Sequence, residues 1–100
     1  MFIYLIRCSE NSYYKIGISK NVERRLKQIQ TSSPDEVYLI HKYESKYASK
    51  IEKALHNFFS SYHRNNEWFE LSLTEEVKFL EMCSSIEKNL IYLEENKIEN

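Results

Sequence analysis

The chain contains one glycine, and it sits inside an apolar, β-prone run: Tyr13-Tyr14-Lys15-Ile16-Gly17-Ile18-Ser19. Glycine weakens a strand because it has no side chain to pack. A lone one here marks a place where something must approach the backbone closely. The surrounding residues fix the local architecture. An earlier run, Phe2 to Cys8, is β-branched and aromatic, and the polar cluster Ser9-Glu10-Asn11-Ser12 separates the two. Two such runs joined by a four-residue turn predict an antiparallel hairpin. The period then changes. Val22, Leu26 and Ile29 recur at four and three residues among Arg24, Arg25, Lys27 and Gln28. That spacing predicts an amphipathic helix, capped by Ser19 and ending near Thr31. Gly17 therefore lies where the hairpin runs into a helix, and either a packed side chain or a substrate phosphate could need its space.

Ser32-Ser33-Pro34-Asp35 breaks the helix. Glu36 to Tyr43 alternates and predicts a third strand. A second helix, from Ser45 or Lys46, turns Ala48, Ile51, Leu55 and Phe58/Phe59 toward the core. Residues 60–66 read as a loop and 68–71 as a short extended segment. Thr74-Glu75-Glu76 suits the first turn of a third helix over about 74–95, with Val77, Leu80, Cys83, Ile86, Leu90 and Leu93 as its apolar stripe. The predicted fold class is α+β: a small three-stranded antiparallel sheet flanked by about three helices. One glycine and one proline leave no flexible linker, so residues 1–100 are expected to form a single domain with its core over about 2–71.

Net charge is −1, but it is unevenly spread: residues 1–64 carry +5 and residues 65–100 carry −6. A basic body suits a phosphate backbone, with the acidic tail expected to face away. Cys8 and Cys83 make no disulfide or metal framework, so both thiols are expected to be reduced. The opening apolar run is broken by Arg7 after strand length, too short for a leader or a membrane span. The expectation is a cytoplasmic protein with no membrane partner.

Three groups carry candidate chemistry. Arg25 follows Gly17 by eight residues, at the edge of the helix's buried face, where a guanidinium can grip a phosphate bidentately; Arg24 points further toward solvent. Glu52 borders the second helix's apolar stripe and shares a face with His56. That pair is either a metal-ligand pair or a surface hydrogen bond. A single carboxylate suffices to anchor a Mg²⁺ that keeps most of its waters and meets a substrate phosphate. In Asn66-Glu67-Trp68-Phe69, the Trp-Phe pair reads as core, and Glu67 as a cap or a partner for His63 or Arg64.

In order along the chain, Phe2-Ile3-Tyr4, Lys15-Ile16-Gly17, Arg25 and Glu52 resemble the GIY-YIG nuclease superfamily. The sub-pattern "YKIGIS", "ERRL", "IEKALH" and "NEWFEL" is similar to its short, phage- and bacteria-type branch. The resemblance implies a DNA endonuclease using one Mg²⁺ or Mn²⁺. It implies Tyr4 as the residue that orients or deprotonates the attacking water, and Arg25 as the phosphate ligand. It also implies Glu52 as the metal ligand, Lys15 in the place of the second tyrosine, and Gly17 as that tripeptide's glycine. Tyr14, His56 and Glu67 are the accessory candidates. The sequence departs from the family at Phe2 (glycine), Lys15 (tyrosine) and Ile29 (histidine), and the late asparagine has no clear match. Two alternatives follow from those departures: a catalytically weak or inactive nucleic-acid- or nucleotide-binding module of a phage or mobile element, and a protein-interaction domain using the acidic last helix. With one active site and no separate DNA-reading domain, specificity would come from a homodimer or a partner.

Overall fold

The computed structural model describes residues 1–9, 12–65 and 68–97, with the side chain of Asn65 excepted. Strands β1 (Phe2–Cys8) and β2 (Tyr13–Ser19) form the expected hairpin. Helix α1 (Val22–Thr31) follows, then β3 (Val37–Glu44) and α2 (Ala48–Phe58). A 3-10 turn (Ser60–Tyr62) leads to two short strands, β4 (His63–Asn65) and β5 (Trp68–Glu70), before the long helix α3 (Leu73–Glu95).

Among the described residues the sheet has five strands, not three, in the order β3-β1-β2-β5-β4, all antiparallel. The two added strands come from the stretch read as a loop and a short extended segment. At three residues each they carry almost no periodic signal, and β5 is held by long-range pairing to Tyr13–Lys15 of β2. Beyond Lys15, that edge of β2 has no strand partner among the described residues.

Strand alternation splits the core into two layers. Tyr4 and Ile6 point toward α1 and pack with Val22, Ile29 and Val37. Ile3, Leu5, Tyr14 and Ile16 point to the other face, where Ile51, Leu55, Phe59, Phe69, Phe79 and Cys83 complete the larger layer under α2 and α3. A bulge in β3 makes this possible. Leu5 pairs with His41 but Ile6 with Leu39, leaving Ile40 as the extra residue. The bulge resets the alternation, so that Val37 and Leu39 reach the α1 layer while His41 and Tyr43 reach the opposite one.

Several local expectations are corrected. Asn21, not Ser19, caps α1: its side-chain oxygen accepts from the Arg24 amide at 3.0 Å, while the Ser19 hydroxyl braces the turn before it. Helix α2 begins at Ala48, because the Ser45 hydroxyl accepts from the Tyr47 amide and holds a turn ahead of it. Ser72 caps α3 in a reciprocal pair with Glu75. The buried stripe of α3 is centred on Phe79 and Cys83, flanked by Met82, Ile86 and Leu90; Val77 and Leu93 are exposed. Burial pushes the Cys83 thiol up to about 12, so it acts as a packing group.

The acidic segment does not face away. Glu76, Glu87 and Glu94 are spaced eleven and then seven residues apart, about three and two helical turns, which puts all three on one side of α3. Each accepts a hydrogen bond from a tyrosine of the body: Tyr14 (2.7 Å), Tyr43 (2.7 Å) and Tyr47. Among the described residues, no helix is long and apolar enough to cross a membrane.

Candidate functional site

Tyr4 and Gly17 are directly opposite one another on β1 and β2. Gly17 does not have a positive φ, so backbone freedom is not why glycine is there. Space is: a Cβ at this position would lie 2.3 Å from the Tyr4 hydroxyl oxygen and 2.5 Å from its Cζ. The tyrosine ring lies across the bare backbone of Gly17. Any other residue would push it off, and the ring has no slack, being 1% exposed. The sequence left two reasons open for this glycine, a packed side chain or a phosphate. The immediate one is the packed ring of Tyr4.

Held there, the phenol meets α1. Arg25 Nε donates to Tyr4 Oη at 3.4 Å, a long contact, and Arg25 Nη1 donates to Gln28 Oε1 at 3.3 Å. Arg25 is half-buried, with its guanidinium standing between the phenol and an open cleft. Lys15 is two residues before Gly17 on β2 and therefore on the same face. It is 9% exposed, with Nζ 5.5 Å from the ring centroid of Trp68, its β-ladder partner. Tyr4, Lys15, Gly17 and Arg25 are thus brought together on the α1 face.

The cleft has a volume of about 480 Å³ and is lined by Lys15, Arg25, Tyr13, Trp68, Arg64 and the turn between α1 and β3. Arg64 is already paired with Glu70, Nε to Oε1 2.8 Å. Trp68 was expected in the core. Phe69 occupies the larger core layer, and Trp68 projects to the opposite face, where it packs half-buried against the α1 layer and also forms a wall of the cleft. The period-two alternation of a strand is the signal that separates the two residues, and three residues are too few to show it.

Glu52 lies on α2, on the other side of the sheet from α1. It is half-buried, one turn before His56 and on the same side of the helix. His56 Nε2 donates to the Ile16 carbonyl at 2.8 Å, and its ring packs edge-on against Phe69, 4.9 Å between centroids. Of the two readings of this pair, the structure shows a histidine committed to hydrogen bonding. That bond ties α2 to β2 just past the end of β5. Glu52, one turn earlier, shares that side of α2. No group of three or more His, Cys, Asp or Glu is placed to cage a metal ion among the described residues.

Tyr14 is not brought into the cleft. It points to the opposite face, where its hydroxyl donates to Glu76 Oε1 and Arg7 Nη1 donates to the same oxygen at 2.9 Å. Burial and the Glu76 carboxylate hold its phenol protonated above the ordinary tyrosine range. Glu67 lies outside the described residues.

Residues 1–84 match the T5orf172 domain model. The chain belongs to the T5orf172 domain family. This phage-associated domain lies in the neighbourhood of the GIY-YIG and HNH-like nucleases, a neighbourhood of nuclease-like or DNA-binding function. The chain is also 32% identical over 89 residues to "Uncharacterized protein 460R" of Invertebrate iridescent virus 6. The aligned part is 85% of this chain and 39% of the viral protein. No solved structure matches the chain.

Proposed function

We propose that this T5orf172 domain is a metal-dependent endonuclease that hydrolyses DNA phosphodiester bonds at the Tyr4–Arg25 site. The observation that carries the reading is the contact between the Tyr4 hydroxyl and Arg25 over the space left by Gly17, with Lys15 on the same wall. A phosphate entering the cleft competes with the phenol for the guanidinium. A charge-assisted contact outbids a neutral one, so Arg25 turns onto the phosphate and frees the Tyr4 hydroxyl. That hydroxyl then hydrogen-bonds the attacking water and holds it in line with the leaving oxygen. The water oxygen bonds to phosphorus and gives up one proton to solvent, the bond to the leaving sugar oxygen breaks, and that oxygen takes up a proton in turn, so that the net reaction adds one water across the bond. Arg25 and Lys15 lie where negative charge grows during the attack.

Glu52 is the residue that would hold a Mg²⁺ or Mn²⁺. One carboxylate can hold such an ion, because Mg²⁺ is commonly held by one or two carboxylates with water and substrate phosphate completing the shell. A bound divalent ion supplies charge stabilisation to the phosphate and the leaving oxygen. A single site cuts one strand, so double-strand breaks require a dimer or two events.

Incubation of supercoiled plasmid with Mg²⁺, with Mn²⁺ and with chelator, beside Glu52→Ala, tests the reading. Nicked product that requires both the metal and Glu52 is expected. Intact plasmid in every lane, or full activity in folded Glu52→Ala, overturns it.

A further inference from the structure

The shape and chemistry of the cleft point to a narrower class of substrate than DNA in general, an inference that rests on Arg25 being the phosphate ligand. A duplex presents its phosphates on a convex ridge, and a flat basic surface is enough to meet them. This site is concave. Its volume of about 480 Å³ falls within the range of about 300–1,000 Å³ typical of pockets that enclose small organic ligands.

Its lining also mixes several chemistries. Arg25 on α1 and Lys15 on β2 supply cations. Tyr13, two residues before Lys15 and on the same face, leaves a large ring 41% exposed at the mouth. Trp68, across the β2–β5 ladder, adds a second ring, with the Lys15 ammonium over it. Gln28, whose Oε1 accepts from Arg25, and Asp35, whose Oδ2 lies 3.9 Å from Cys8 Sγ, also line the cleft. A carboxylate in a groove built only for phosphates would repel them. The same carboxylate suits the amino and imino N–H donors on the edge of a base, as an amide does.

We propose that the cleft receives one unpaired nucleotide, its base against Tyr13 and Trp68, its edge toward Gln28 and Asp35, and its phosphate on Arg25. The substrate is then a single strand, or an unpaired segment of a larger nucleic acid of the kind that negative supercoiling opens in a plasmid, and not a relaxed, fully paired duplex. Aromatic rings beside a cationic track are the general means of holding unstacked bases.

Binding in chelator tests this separately from hydrolysis. Fluorescence anisotropy would compare a short labelled DNA single strand, an RNA single strand of the same sequence, and the corresponding DNA duplex at one salt concentration. Trp68 is the chain's only tryptophan, so its emission reports directly on the cleft. The expected result is a single strand bound at least tenfold more tightly than duplex, with Trp68 emission quenched at the same midpoint. Tyr13→Ala should weaken single-strand binding by roughly 5- to 100-fold, the usual range for losing one base stack, while Tyr13→Phe retains it. Whichever single strand binds more tightly identifies the polymer. Duplex binding equal to or tighter than single-strand binding overturns the proposal. So does unchanged affinity in Tyr13→Ala, unchanged Trp68 emission at saturation, or no binding to any strand. Tight single-strand binding without cleavage would remove the nuclease and leave this inference standing. Cleavage of intact duplex without a single-strand preference would do the reverse.

Discussion

Tyr4 and Tyr14 stand on neighbouring strands, both almost fully buried, and their hydroxyls are in opposite company. Tyr4 reaches the α1 face and meets Arg25 at a long 3.4 Å, beside a cleft. Tyr14 reaches the other face and donates at 2.7 Å to a carboxylate that also holds Arg7, in a layer filled by aromatic and aliphatic side chains. One hydroxyl meets a cation that lines a cleft; the other sits in a carboxylate-centred network within the core. On the function proposed above, the α1 face serves the substrate and the α2/α3 face the fold. Substitutions on the two faces should separate cleanly into losses of activity and losses of stability.

The largest effect is expected from Arg25→Ala. Its guanidinium makes long contacts to Tyr4 and Gln28 and lines the cleft, so the thermal midpoint is expected to move far less than the cleavage rate. Removing a preorganised contact to the transition state typically costs ~3 kcal/mol or more, roughly 10²-fold or greater in rate. Plasmid nicking with a melting curve on the same preparation checks both halves. An equal loss of stability and activity would erase the contrast between the faces.

Glu76→Ala should show the converse. It strands the Arg7 guanidinium and the Tyr14 hydroxyl in a largely buried site, and hydrogen bonds to charged groups contribute about 1.5–3 kcal/mol each. Urea denaturation should show a loss of about 2–4 kcal/mol, with the cleavage rate per folded molecule unchanged. A selective loss of cleavage would mean that the network on the second face tunes the site.

Gly17→Ala links the faces to the local cause of the site. The added Cβ cannot coexist with the Tyr4 ring in its present place. Overpacking of this kind costs about 1–3 kcal/mol. Tyr4→Phe removes the hydroxyl while leaving the ring, so it should lose activity with little change in stability. Gly17→Ala should lose both, and a second change of Tyr4 to a smaller residue should restore stability without restoring activity. Stability measured across the three variants decides whether the glycine serves the ring or the substrate.

How much of this was legible in the sequence follows from how local each feature is. The hairpin and α1 could be read from alternation giving way to a 3.6-residue period, and opposite faces for Tyr14 and Lys15 followed from that alternation. The hairpin register brings Tyr4 over Gly17, and its turn length constrains that register. Strands β4 and β5 could not be read, because three residues show no period and their pairing comes from distant chain. For the same reason, the sequence reading put Trp68 and Phe69 in one core, whereas Trp68 packs half-buried against the other layer and faces the cleft. In α3, Phe79 was missed because Val77 and Leu80 fit a helical stripe equally well; only the position of β3 and its bulge decides which stripe is buried. The acidic segment looked like a solvated tail because a charge sum does not register that Glu76, Glu87 and Glu94 share one side of a helix.

The smallest effect expected is in alkaline stability, and it concerns the second face alone. Burial and then the Glu76 carboxylate raise the pKa of Tyr14; hydrogen bonding to Glu87 and Glu94, respectively, is the main cause for Tyr43 and Tyr47. Each phenol is thus more reluctant to ionise in the folded chain than in the unfolded one. The unfolded chain releases these protons first as pH rises, so it binds fewer of them, and the slope of stability with pH is negative. The contribution is fully present below an unfolded tyrosine's pKa of about 10 and is lost as pH climbs through the raised folded values. Denaturation midpoints measured from neutral pH into the alkaline range should therefore fall above about pH 10. Tyr14→Phe should flatten that fall, since it removes one of the three linked phenols. An alkaline fall as steep in folded Tyr14→Phe as in the parent chain would show that this phenol and its Glu76 partner are not linked to stability.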